Sequence, residues 1–147
     1  MARTGGRTTA RGWVVVVAGV VFAVAGVVTW FLVADQLRAE NITVSQDAEY
    51  FAGDPVTGPL TAYSEAQVIN KHALQATGGK TYAELEQNDP ARQTAMQASF
   101  LRASLFTSVV AFGVAALAAV LGVILVLIGT SLKAPEVTSS TAPEVTV

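Results

Sequence analysis

The sequence predicts an all-α membrane protein: a two-helix transmembrane hairpin, a mostly helical extracytoplasmic loop, and a long second helix that projects from the bilayer. Three observations predict it. Residues 13–34 and 103–132 contain no Asp, Glu, Lys, Arg or His, and each run exceeds the ~20 apolar residues that a helix needs to cross a bilayer. Between them lies one polar stretch, 35–102, with five basic and nine acidic side chains. From Asp89-Pro90 no proline interrupts the chain until after the second apolar run. A helix from there to about residue 128 is near 58 Å long, whereas a bilayer core is only about 30 Å thick.

The elements follow in order. Residues 1–12 are rich in Gly, Thr and Arg and bury nothing, so they read as a disordered cytoplasmic arm. Residues 13–34 form the first span, with Trp13 and Trp30 near its two ends, where amphipathic rings are favoured. Inside lipid the backbone has no alternative to helix, which overrides the weak helix propensity of the many valines. Residues 35–40 continue that helix briefly, and 41–58 are mostly irregular, with β character at Ile42-Thr43-Val44 and turns at Gly53-Asp54-Pro55 and Gly58-Pro59. A loop helix is expected over 61–76, entered after Pro59, stopped by Gly78-Gly79, and carrying a narrow stripe of Ala62, Ala66, Ile69, Ala73 and Ala76. Thr81-Tyr82-Ala83-Glu84 has the capping-box pattern, which predicts a helical turn to about Gln87. Asp89-Pro90 then opens a stalk over 90–102, whose Ala91, Ala95, Ala98 and Leu101 are expected to face the loop, with Arg102 reaching the headgroups. Residues 103–132 form the second span. The tail, 133–147, repeats Ala-Pro-Glu-Val-Thr at Ala134 and Ala142 and reads as disordered.

Small residues recur along both spans. Gly12, Gly19 and Gly26 are seven apart, with Ala23 between the last two, and Ala115, Ala118, Gly122 and Gly129 are similarly spaced. Such faces let helix backbones approach closely in lipid. Gly19, Ala23, Gly26, Ala115, Ala118 and Gly122 are therefore the candidate packing residues, either for one span on the other or for a partner's helix.

Charge sets the orientation. Arg3, Arg7 and Arg11 precede the first span, a flank of the kind retained in the cytoplasm. This places both termini in the cytoplasm and 35–102 outside a plasma membrane, although Arg92 and Arg102 lie on the outer side and only Lys133 follows the second span. The alternative of a cleaved signal peptide needs an apolar region of about 7–15 residues, shorter than this run. The acidic loop argues against nucleic acid as a partner.

The residue inventory restricts the chemistry. There is no cysteine and only one histidine, His72, so thiolate and histidine-rich sites are excluded and no cofactor is expected. Gly79-Lys80-Thr81 resembles the end of a phosphate loop but has Leu74 where the first glycine belongs. Asp47, Glu49 and Asp54 lack calcium-loop spacing, because Phe51 falls at a ligand position. No base stands at a recognisable spacing from Ser64, Ser99 or Ser104. The Asn41-Ile42-Thr43 sequon matters only in a host that glycosylates.

Three stretches carry a family resemblance: Val68-Ile-Asn-Lys-His-Ala-Leu74, Gly78-Gly-Lys-Thr-Tyr-Ala-Glu-Leu85, and Ala98-Ser-Phe-Leu-Arg-Ala-Ser-Leu-Phe-Thr-Ser-Val-Val-Ala-Phe-Gly-Val114. Over residues 13–132 the chain resembles small actinobacterial two-span membrane proteins that often bear the label "aromatic ring-opening dioxygenase LigA". The resemblance implies an actinobacterial plasma membrane. An extradiol dioxygenase holds iron with two histidines and a carboxylate, which one histidine cannot supply, so no catalytic residue is carried over.

The expectation is a non-enzymatic integral membrane protein, an accessory or interaction subunit of a larger plasma-membrane complex, with lipid and other integral membrane proteins as partners. The alternatives are an envelope sensor that uses the outward loop, a dioxygenase subunit as the label says, and a self-assembled pore.

Overall fold

The computed structural model describes residues 5–133 of the chain. It is all-helical, with three helices: α1 (Gly5–Ala39), α2 (Pro59–Ala76) and α3 (Ala91–Ser131). α1 and α3 are long and apolar enough to cross a membrane. α1 and α3 pack along each other antiparallel, and α2 packs on α3.

α1 starts earlier than the composition predicts. Residues 5–12 are helical, where the sequence reads as an unstructured arm. Once a helix is nucleated, each added residue gains a hydrogen bond at little further cost, so the apolar helix propagates into poor helix formers. The remainder of the expected arm, 1–4, and nearly all of the expected tail lie outside the described residues.

α2 begins two residues before the expected 61, with Pro59 at the first position, where a missing N–H costs nothing. Thr61 closes the entry: its hydroxyl accepts the amides of Thr57 and Gly58, each at 3.2 Å, and donates to the Gly58 carbonyl at 3.1 Å. At the other end Gly78 and Gly79 take φ values of 65° and 85°, and the Gly79 amide returns to the Leu74 carbonyl at 2.6 Å. This is the six-to-one bond of a Schellman stop, and the positive φ explains why glycine stands there. The glycines of the phosphate-loop-like stretch thus serve to end the helix.

The capping-box pattern at 81–84 forms without a helix. Glu84 accepts the Thr81 amide and hydroxyl, both at 2.7 Å, but only turns follow. The segment is held from the stalk instead: Arg92 donates to the Leu85 carbonyl at 2.7 Å and sits 4.1 Å from the centre of the Tyr82 ring. α3 begins after an aspartate cap, with the Ala91 amide 2.8 Å from Asp89 Oδ1. The stalk face differs from the expected one at its lower end. Ala95 is buried and Ala91 and Ala98 are half-buried, but Leu101 is exposed. The contact line passes through Arg102 to the buried Leu105 instead.

Residues 42–56, expected to be mostly irregular with β character at Ile42-Thr43-Val44, form a small bridged excursion. Thr43 pairs with Pro55 in an antiparallel bridge. The Val56 amide donates to the Ile42 carbonyl and the Val44 amide to the Asp54 carbonyl, at 2.9 and 2.8 Å. The alternation puts Val44 and Val56 inside, where they join Ala34 and Leu37 of α1, Ala62 and Ala66 of α2, and Leu105 and Phe112 of α3 in one buried cluster. All four segments meet there. Val44→Ala removes two buried carbons of one of the two valines, about 1.6 kcal/mol of burial at roughly 0.8 kcal/mol each. The expected result is faster hydrogen exchange at the Val44 and Val56 amides, with the mid-α3 amides unchanged.

Candidate functional site

The small residues line the contact between α1 and α3. Gly12, Gly19 and Gly26 are buried on α1, and Ala115, Gly122 and Gly129 are buried on α3. A Cβ added to Gly19 would stand 2.7 Å from both the Gly122 carbonyl oxygen and the Val126 amide nitrogen. One added to Gly26 would stand 2.5 Å from the Ala115 oxygen and the Ala119 nitrogen. One on Gly129 would lie 2.9 Å from the Gly12 oxygen. On Gly122 it would collide with the backbone of Ala23. The two backbones thus touch along the whole seam, with no room for a side chain at these positions.

The spacing explains the geometry. Gly12, Val16, Gly19, Ala23 and Gly26 on α1 are separated by four, three, four and three residues, and Ala115, Ala119, Gly122, Val126 and Gly129 on α3 repeat that pattern. An average step of 3.5 keeps one face turned towards a partner helix over several turns. The sequence reading singles out Ala118, which is half-buried, whereas Ala119 makes the backbone approach to Gly26.

Both ends of the seam are closed by aromatic contacts. At the loop end Trp30 meets Phe112 edge-on, with ring centres 4.7 Å apart. At the other end Lys133 Nζ lies 3.2 Å above the Trp13 ring. A cation over an indole face is attracted by the ring quadrupole.

The polar groups above the seam fasten the excursion to α2. Glu65 is buried, and its carboxylate accepts the Ser45 amide at 2.7 Å and the Ser45 hydroxyl at 3.2 Å. Ser64 donates to the Tyr50 carbonyl at 2.7 Å. Asp47 Oδ2 receives Lys71 Nζ and His72 Nε2, both at 2.9 Å. These two hydrogen bonds, Lys71's first, hold the Asp47 carboxyl down at about 2. Hydrogen bonds from Thr81 lower Glu84 likewise. The sequence links His72 with no acidic partner, because Asp47 lies 25 residues away and no helical period connects them. Among the described residues no group of three His, Cys, Asp or Glu side chains is placed to hold a metal ion.

No protein-family model, no curated protein and no solved structure matches the chain.

Two outcomes follow. Gly122→Leu forces the backbones apart and is expected to lower stability in mild detergent by about 1–3 kcal/mol or more. Gly113→Leu, which meets no atom within 4 Å, is expected to leave the melting temperature unchanged. For Asp47, the folded pKa lies below the unfolded 3.8. Its contribution to stability is therefore complete above that value and is lost as pH falls through about 2. An NMR titration of its carboxyl carbon should show the low midpoint, and Lys71→Met should raise it.

Proposed function

We propose that the chain is a two-span integral membrane protein that acts as a non-enzymatic accessory subunit by packing against other integral membrane proteins. The observation that carries this reading is the inversion of ordinary helix packing. α1 and α3 turn glycine and alanine towards each other and carry their large aliphatic side chains outward, with Val14, Leu117, Val120 and Leu127 all exposed. Such a pair has an apolar exterior all round, which needs lipid or another apolar helix against it. In water this surface would drive aggregation.

The distribution of charge supports the placement. Arg11 and Lys133 stand at one end of the pair, Asp35, Arg38 and Arg102 at the other, and no charged residue lies between. The arginines before Trp13 support an orientation with both termini in the cytoplasm of a plasma membrane. The loop and stalk then project outward.

The seam decides which surface a partner meets. Gly12, Gly19, Gly26, Gly122 and Gly129 are consumed within the hairpin, so a partner helix packs on the outer Val, Leu and Ile surface. The titratable groups support a non-enzymatic role in the same way: Glu65, Asp47, Lys71 and His72 are engaged in closing the excursion on α2.

Purification from native membranes in a mild detergent, through a tag on the C-terminus, tests this. A stoichiometric set of integral membrane subunits is expected to co-purify. Recovery of the chain alone overturns the accessory-subunit reading.

A further inference from the structure

The loop carries four large side chains that the fold leaves outside. Leu60 is 66%, Tyr50 65%, Tyr63 50% and Phe51 42% exposed. They belong to one end of the loop. Leu60 and Tyr63 are three apart on the first turns of α2, which places them on one face. Ser64, next to Tyr63, holds the Tyr50 carbonyl at 2.7 Å, and Phe51 follows Tyr50.

That end of the loop sits low, against the apolar part of α3. The Tyr63 ring meets Phe106 edge-on at 5.9 Å between centres. Ala62 shares a buried cluster with Leu105 and Phe112. These α3 positions lie within the charge-free run, below Arg102, its last charged residue on that side. Phe106 is four residues inside this boundary, or about 6 Å along the helix. α2 runs from there away from the span, since its C-terminal half lines a small cavity with Ala95, Ala98 and Ser99 higher on the stalk.

Phe51 adds an independent observation. Its φ of 61° is a left-handed value that a bulky residue rarely adopts. The turn it makes, with its carbonyl accepting the Asp54 amide at 2.9 Å, is one that Asn or Gly forms with less strain. Turn geometry therefore gives no reason for phenylalanine there, and neither does burial. Among the described residues, the hydroxyls of Tyr50 and Tyr63 hydrogen-bond to no protein group.

We propose that Tyr50, Phe51, Leu60 and Tyr63 form a membrane-contact surface seated at the boundary between headgroups and acyl chains, in the leaflet on the loop side. This rests on the two-span reading. Aromatic rings with a polar tip are favoured at that depth. The surface continues the outward apolar surface of the spans, where Phe31 and Val110 are exposed at the same end. Glu49 and Asp54 flank it, and like-charge repulsion then favours zwitterionic over anionic headgroups. α2 is thereby tethered at one end to the bilayer and at the other to the stalk.

The absence of cysteine makes the test clean. Single substitutions Leu60→Cys, Leu121→Cys and Gln87→Cys each place one spin label on the full chain in phosphatidylcholine vesicles. Collision with oxygen, which concentrates in lipid, is compared with collision with a water-soluble nickel chelate. The Leu60 label is expected to favour oxygen, between the Leu121 label near the middle of the charge-free run and the Gln87 label beyond the outer end of the stalk. A Leu60 label as accessible to nickel as that at Gln87, with Leu121 in lipid, overturns the proposal and leaves the spans intact. A Leu121 label that itself behaves like Gln87 overturns the two-span reading. A Leu60 label shielded from both reagents shows a protein covering the surface and also overturns the lipid assignment. Tyr63→Cys provides a second probe of the same face.

Discussion

The backbone contact between α1 and α3 is the constraint on which the rest depends. Glycine carbonyls and amides of one helix stand where side chains of the other would be. Apolar helices in lipid gain nothing from leaving water a second time, so their association relies on close packing of this kind. The contact fixes the register of the two helices. With Gly19 against Gly122 and Gly26 against Ala115, Trp30 can only meet Phe112, and Ala34 and Leu37 can only meet the turn around Leu105. The floor of the loop is positioned by glycines several turns below it.

The loop itself is too small to hold a deep core of its own, and it does not build one. The buried side chains it adds to the shared cluster are alanines and valines, Val44, Val56, Ala62 and Ala66, laid onto residues of the two long helices. Specificity comes from polar fasteners. Glu65 satisfies a backbone amide and a hydroxyl of the excursion at once, and a half-buried amide left without a partner would be costly. The exposed Asp47 contacts add direction more than energy, since solvent screens them. Arg92 does similar work at the outer end of the stalk by gathering carbonyls that no helix uses.

Features that depend on local chemistry were legible in the sequence. The two apolar runs, the glycine repeat, the stop at Gly78-Gly79 and the cap at Asp89 each rest on residues within a few positions of one another. Of the excursion only the β character at Ile42-Thr43-Val44 and the turn at Gly53-Asp54-Pro55 were legible, because its fastening residues are 20 and 25 positions apart and nothing in the intervening chain signals the pairing. The capping box at Thr81 misleads for a related reason. It satisfies a local hydrogen bond, but the carbonyls that a helix would use are taken by Arg92. Leu101 misleads because positions three and four beyond Ala98 lie near the same face. A polarity pattern chooses the leucine, whereas packing turns the stem of Arg102 inward and brings its guanidinium 5.8 Å from the centre of the Phe106 ring.

The mismatch between the two apolar runs gives the architecture its last feature. The charge-free run of α3 is longer than that of α1. With the seam in register, the surplus divides between the two ends, and the part at the loop end, around residues 103–106, stands opposite the last turns of α1. Read as sequence, those residues are simply more membrane span. In the fold they are the floor of the loop, with Leu105 buried beneath Ala34, Leu37 and Ala62. One continuous core therefore runs from the helix pair into the loop, with no linker between them. A loop built in this way cannot swing on the helix pair as a tethered domain would. A force on the outer surface of α1 or α3 carries the loop and stalk with it as one body.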